Sequence, residues 1–219
     1  MPYEAILFDL DGTLLNTLDG IGNTVNRILA SRGFPIHAID AYRYFVGEGL
    51  TLLISRALPE DQRDPMTVQA CVEAYRENYN RTFSAVTKPY PGVPAMLDAL
   101  TARGLKLAIL SNKPHRLTMK SVIELLPNWT FEVILGQRAE VPRKPDPAGA
   151  YEIAERLGIP PAHFLYLGDT AVDMQTAIAA GMFPIGVLWG FRSAEELQVG
   201  GAQALIEHPL DSLKFLDSS

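Results

Sequence analysis

The stretch Ala5-Ile6-Leu7-Phe8-Asp9-Leu10-Asp11-Gly12-Thr13 decides the fold. Its first four residues are apolar without a break, which predicts a short strand covered on both faces, as in a parallel sheet flanked by helices. The run ends in two carboxylates, Asp9 and Asp11. Like charges ~4 Å apart repel by roughly 4 kcal/mol at an effective dielectric near 20. Something must offset that repulsion.

Four more apolar runs, at 105–110, 133–135, 164–167 and 184–188, predict further strands of the same kind. Helical patterns at 93–103, 115–126, 147–157 and 173–180 lie between them, closed by Gly104, Pro127, Gly158 and Gly181. Alternation of this sort implies right-handed crossovers and a doubly wound, Rossmann-like α/β sheet. Residues 16–85 break the rhythm. Ile21, Val25, Ile28 and Leu29 share one helix face, and Val68, Val72, Tyr75 and Tyr79 share another, with no strand expected among them. The expected organisation is an α/β core from 1–15 and 86–219, with a helical cap at 16–85 inserted after the first strand. Residues 86–93, with Pro89, Pro91 and Gly92, read as the return linker.

Bulk properties narrow the function. The 219 residues are 47% hydrophobic, enough for a core, and the net charge of −6 disfavours a nucleic-acid or anionic-membrane surface. Cys71 is the only cysteine, so no intrachain disulfide forms. No run approaches the ~20 apolar residues of a membrane span. A cytoplasmic protein is expected, monomeric or homodimeric, with neither nucleic acid nor membrane as partner.

In an open α/β sheet the loops after the strand ends form the binding edge. Asp9, Asp11 and Thr13 follow the first strand, and Ser111, Asn112 and Lys113 follow the second. Lys144 precedes the next helix, and Asp169, Thr170 and Asp173 follow the fourth strand. Asp9, Asp11 and Asp169 supply hard oxygen ligands that suit Mg²⁺. Four carboxylates (Asp9, Asp11, Asp169, Asp173) against Lys144 leave a formal −3, which a divalent cation brings to −1. A carboxylate beside a metal can attack phosphorus and form an aspartyl-phosphate that water hydrolyses. Asp9 is the expected nucleophile, Asp11 the acid and base, and Thr13, Ser111, Asn112 and Lys144 the phosphate contacts. Arg43, Gly47, Gly49 and Lys113 are candidates for touching the rest of the substrate.

Each motif has a plainer reading by itself. Ser111-Asn112 could cap a helix, Lys144 could be a solvated loop lysine, and Asp173 could belong to a helix cap. Their order at successive strand ends points to a site. The four histidines have no metal spacing, Gly47-Glu48-Gly49 reads as a turn, and the tyrosines with Phe83 read as core of the cap. Trp129 and Trp189 read as packing.

With these residues in place the chain resembles the haloacid dehalogenase superfamily, and within it the phosphoglycolate phosphatase branch. Asp9-Leu10-Asp11-Gly12-Thr13 matches the nucleophile motif, Ser111-Asn112-Lys113-Pro114 the second, Lys144-Pro145 the third and Gly168-Asp169-Thr170-Ala171-Val172-Asp173 the acidic fourth. Phe45-Val46-Gly47-Glu48-Gly49 and Gly190-Phe191-Arg192-Ser193 add the branch-level likeness. The resemblance implies a Mg²⁺-dependent phosphatase acting on a small phosphorylated metabolite, with 2-phosphoglycolate as leading substrate. It also implies that Asp11 meets the metal through its backbone carbonyl, leaving its carboxylate free. The presence of Asp11 disfavours dehalogenation, and the insertion's basic residues before Lys88, all arginines, disfavour phosphonate hydrolysis. A sugar phosphomutase shares every core motif and is the alternative. A phospho-accepting signalling module is the alternative from another class, disfavoured by the insertion.

Overall fold

The computed structural model describes residues 3–216, with residues 80–85 described by their backbone alone. The strands in chain order are β1 (Ala5–Phe8), β2 (Leu15–Asn16), β3 (Lys88–Pro89), β4 (Lys106–Pro114), β5 (Val133–Gln137), β6 (Phe164–Gly168), β7 (Phe183–Val187) and β8 (Ala204–Ile206). The α-helices are α1 (Leu18–Ser31), α2 (Tyr42–Phe45), α3 (Leu50–Ala57), α4 (Pro65–Val86), α5 (Val93–Ala102), α6 (His115–Leu125), α7 (Ala148–Leu157), α8 (Ala171–Ala180) and α9 (Ala194–Val199). Six strands form a sheet in the order β5-β4-β1-β6-β7-β8, parallel throughout.

The unbroken apolar runs divide by parity between the two faces of that sheet. Ile6 and Phe8, with Ile109 and Leu167, pack with Val93, Met96 and Leu97 of α5. Ala5 and Leu7, with Leu110 and Tyr166, pack with Ile153 of α7 and Ala177 of α8. Both faces are covered, so neither could carry an alternation of polar residues. The chain runs outward from β1 to β5 on one side, then crosses back to β6 on the other. β1 therefore lies at the topological switch, between β4 and β6.

The helices α1 to α4 bury a cluster of their own, with Val25, Ile54, Cys71, Val72 and Tyr79 inside it. Leu117 of α6 and Phe191 after β7 also belong to it, so this cluster reaches into the α/β part. The chain enters and leaves the helical segment through a two-stranded antiparallel ribbon, Leu15 opposite Pro89 and Asn16 opposite Lys88. That corrects the expectation of no strand from Asn16 onward and of an irregular linker after α4. Two-residue strands show no periodicity, and Pro89 can sit only where no donor is needed.

β8 also escapes the sequence reading, being three residues long at the sheet edge and half-buried at two of them. α8 starts two residues before the expected Asp173 because Thr170 and Asp173 cap each other reciprocally. No helix among the described residues is long and apolar enough to cross a membrane. Phe83 lies outside the residues whose side chains are described.

Candidate active site

The polar residues meet at the carboxyl edge of β4, β1 and β6. β4 pairs with β1 only as far as Ile109, opposite Phe8, and runs on to Pro114. Ser111, Asn112 and Lys113 thus stand in extended chain beyond the β1 end, and α6 begins only at His115. This removes the plainer reading of Ser111 as a helix cap.

Lys144 is the hub. Its ammonium donates to Asp9 Oδ1 (2.9 Å), Asp173 Oδ1 (2.6 Å) and the Leu110 carbonyl (3.0 Å), which satisfies all three of its protons. Asn112 clamps the Lys144 backbone from both sides, Nδ2 donating to the carbonyl (3.1 Å) and Oδ1 accepting from the N–H (3.0 Å). The other oxygen of Asp173 accepts from the Thr170 N–H (3.1 Å) and hydroxyl (2.7 Å). Asp173 therefore both caps α8 and holds Lys144.

Asp169 is fully buried. It accepts from the Thr13 hydroxyl (3.1 Å) and from the Phe191 N–H (2.9 Å). Two glycines make room for it: a Cβ on Gly12 or on Gly190 would come within 2.2 Å of an Asp169 atom. Gly12 also has a φ of +94°, open to glycine at little cost. Trp189 fixes the same turn, its indole N–H donating to the Thr13 carbonyl (2.9 Å).

One carboxylate oxygen from each of Asp9, Asp169 and Asp173 lies within 4.8 Å of the others, and all three residues are buried. That spread is little more than the ~4.2 Å between opposite ligands of an octahedral Mg²⁺. The donors are all oxygen, as a hard cation requires. The Asp11 carboxylate stands outside this group, which corrects the first three-carboxylate set of Asp9, Asp11 and Asp169. Lys113 holds it instead, Nζ donating to Asp11 Oδ1 (2.8 Å) and Oδ2 (3.0 Å) and to the Tyr79 hydroxyl (3.0 Å). Lys113 also corrects the charge count: four carboxylates against two buried ammoniums leave −2.

Burial pushes Asp9 up to about 7, with Lys144 opposing and Asp173 and Asp11 adding to the rise. Burial raises Asp169 as well, with Asp9 and Asp173 as further causes. Burial alone would lower the two lysines. Asp173 and Asp9 outweigh it at Lys144, and Asp11 and Tyr79 outweigh it at Lys113, so both stay above the ordinary lysine range. Burial thus outweighs the nearby positive charge at Asp9 and Asp169.

A cavity of about 510 Å³, counted to its open mouth, lies over these groups. Asp9, Asp11, Ser111, Asn112 and Lys113 line it, as do Gly47 and Gly49. Two expectations need correction. Thr13 is fully buried and its hydroxyl donates to Asp169, so it positions that carboxylate and offers no hydrogen to a phosphate. Arg43 is not among the cavity-lining residues. Its guanidinium donates to the Gly190 carbonyl (2.9 Å) and pairs with Asp40 (3.3 Å). The sequence reading missed Tyr79 and the Phe191 N–H. Nothing in the sequence marks Tyr79 apart from its place on a helix face. Phe191 follows β7, so extending the strand-end rule to that strand finds it.

The profile of the family described as haloacid dehalogenase-like hydrolase matches residues 6–187. A phosphoglycolate phosphatase of Xylella fastidiosa (strain 9a5c) is 36% identical over 209 residues, which cover 94% of this chain and 90% of the relative. One from Aquifex aeolicus is 31% identical, covering 98% of this chain and 97% of that one. A crystallised protein from Lactobacillus delbrueckii subsp. bulgaricus has the same fold, with a TM-score of 0.92 at 28% identity over the whole of both chains.

Proposed function

The chain belongs to the haloacid dehalogenase-like hydrolase family, and from that premise we propose that it is a phosphatase which moves the phosphoryl group of a small phosphomonoester first to Asp9 and then to water. The observation that carries this reading is the buried Asp9–Asp169–Asp173 group, in which Lys144 bridges Asp9 and Asp173 and Asp9 lines an open cavity.

Mg²⁺ is the cofactor these oxygen donors suit; Asp9 and Asp169 would hold it, with the Asp11 backbone carbonyl added by the family resemblance. Bound there it supplies positive charge that lets a phosphate dianion approach the carboxylates. The chain's own residues do the rest. Lys144 holds Oδ1 of Asp9 and so fixes the rotation of its carboxylate. Asp9 attacks phosphorus, forming an acyl-phosphate bond as the bond to the alcohol oxygen breaks. The leaving alkoxide takes a proton from the Asp11–Lys113 pair. Asp11 then takes a proton from water, which attacks phosphorus, frees inorganic phosphate and restores Asp9. Ser111 and the N–H of Asn112 stand at the cavity to hold the transferred group. Asp173 orients Lys144, and Thr13 orients Asp169. The helices of 16–85 act as a cap that excludes bulk water.

The names of the relatives put 2-phosphoglycolate forward as the first ester to try. The deciding experiment measures phosphate release from it and from p-nitrophenyl phosphate with Mg²⁺, in chelator, and with Asp9→Asn. Release should stop in chelator and return with Mg²⁺. Asp9→Asn should run at least ~1000-fold slower, about 4 kcal/mol of barrier, with unchanged circular dichroism. Comparable turnover by Asp9→Asn would remove the nucleophile and with it the proposal.

A further inference from the structure

After β7 the chain forms a strap, Trp189-Gly190-Phe191-Arg192, that is fastened on two sides. Two of its bonds face the floor of the site. The Trp189 indole N–H donates to the Thr13 carbonyl (2.9 Å), and the Phe191 N–H donates to Asp169 Oδ2 (2.9 Å). The other contacts face the helical segment. The Phe191 side chain is buried in the apolar cluster of α1 to α4. Arg192 donates to the Arg43 carbonyl and to the Val46 carbonyl (3.0 Å), and Glu196 holds its Nε (2.9 Å). Val46 ends α2 and, with Leu50 and Leu53 of α3, lines the cavity.

Arg43 answers from α2, its guanidinium donating to the Gly190 carbonyl (2.9 Å). That carbonyl and the Phe191 N–H are the two ends of one planar peptide group. A cation at the oxygen polarises the group and strengthens its N–H as a donor. It also fixes the plane in which the N–H points. Gly190 has no side chain to hold that plane, and a Cβ there would strike Asp169. The orientation of the peptide therefore depends on its two hydrogen bonds, one to the cap and one to a buried carboxylate.

We infer that Arg43 is a positioning residue: through the Gly190–Phe191 peptide it holds the Asp169 carboxylate in the orientation a cation needs. This rests on the metal assignment in the phosphatase reading above, and goes beyond it because Arg43 lies outside the cavity lining. The seating of α2 and the affinity for Mg²⁺ are thereby linked, each favouring the other.

The test is Arg43→Met, which keeps an apolar stem and removes the guanidinium. Calorimetric titration of the full chain with Mg²⁺, without substrate, should show a Kd raised by at least ~3-fold. Removing a direct partner of a metal ligand costs ~10-fold or more, and here one peptide group intervenes. Coulomb's law by itself predicts the opposite sign, because losing a nearby cation would tighten Mg²⁺ binding. In phosphate release from p-nitrophenyl phosphate, the Mg²⁺ concentration giving half the maximal rate should rise with the Kd. The ester KM at saturating Mg²⁺ should stay within ~2-fold of wild type. Arg43→Gln serves the same purpose where Arg43→Met does not fold.

A Kd raised by less than ~3-fold, or lowered, would overturn the inference. An ester KM raised more than ~2-fold at saturating Mg²⁺ would overturn it as well, since Arg43 would then fasten the cap as a whole. A wild type that binds no Mg²⁺ would remove the metal assignment and this inference together. Failure of the wild type to release phosphate, with the Kd shift present, would overturn the phosphatase reading and leave the role of Arg43 standing.

Discussion

Two surfaces of unlike construction face each other across the cavity. The floor comes from strand ends, and each of its charged groups is fixed by named hydrogen bonds, as Lys144 is by Asp9, Asp173 and the Leu110 carbonyl. The wall comes largely from helices and is fixed by apolar packing around Leu53, Ile54 and Val72. A floor residue cannot change without stranding a buried charge. A wall residue can change with only the cost of a volume mismatch. Chemistry is therefore confined to the floor, and selectivity is free to vary in the wall.

The sharpest test of that contrast is Lys144→Met. It leaves Asp9 and Asp173 buried without their ammonium, a loss of about 3–5 kcal/mol by the usual cost of breaking a buried pair. Urea unfolding in chelator at neutral pH should show it, with activity abolished. The deficit should narrow as pH falls, because the stranded carboxylates can then protonate. A variant as stable as wild type at neutral pH would mean that the floor is not held together by charge.

The cation should matter next. In the cation-free protein burial holds Asp9 up near about 7, whereas an unfolded chain titrates it near 4. A raised acid favours the native state below the unfolded value, and that advantage is lost as pH climbs from about 4 through about 7. Mg²⁺ binds the ionised form and opposes the loss. Stabilisation by Mg²⁺ at a hundred times its Kd should reach about 2.7 kcal/mol. The melting-temperature gap between Mg²⁺-loaded and chelated protein should be wider at pH 8 than at pH 5. A gap of equal size at both would mean that Asp9 does not take part in binding.

Which parts of these surfaces the sequence discloses follows from the same physics. Asp9 and Asp169 announce themselves because a charge directly at the end of a buried strand has no structural use, and Lys144 by its place before the next helix in the same order. The order of strands and helices shows in unbroken apolar runs closed by glycine or proline. Side-chain direction does not show. Thr13 stands in the right motif but turns inward to Asp169, and the Asp11 carboxylate turns from the Asp9–Asp169–Asp173 group to Lys113. The ribbon of Asn16 with Lys88 is too short to have a period. The wall is the least visible part, because Leu50 and Leu53 look like any core leucines until the fold sets them opposite a carboxylate.

Tyr79 is where the two surfaces touch, and Tyr79→Phe asks whether the wall reaches the chemistry. The substitution keeps the ring and its stacking on Tyr75 but removes the oxygen that accepts from Lys113. Loss of one hydrogen bond to a buried ammonium predicts about 1 kcal/mol and a kcat lower by roughly 3- to 10-fold. KM should hold, since the hydroxyl positions Lys113 and Asp11. A rise in KM with kcat intact would instead place Tyr79 against the substrate.

The smallest effect is expected farthest from the cavity. Asp64 precedes α4 and its Oδ1 accepts from the Met66 and Thr67 N–H groups, both at 3.0 Å, so Asp64→Ala removes the cap of the longest helix behind the wall. Hydrogen bonds from Thr67 and Met66 hold this carboxyl below its ordinary range. A lowered acid contributes above its unfolded value and loses that contribution as pH falls through the folded one. The melting temperature should therefore drop by no more than ~2 °C at pH 7, given full exposure to solvent, and the difference from wild type should narrow below pH 4. Both kcat and KM should stay at the wild-type value, because nothing in the floor depends on this turn. A kinetic change from so distant a cap would show that the wall's helices are mechanically coupled to the floor, and the division drawn between the two surfaces would have to go.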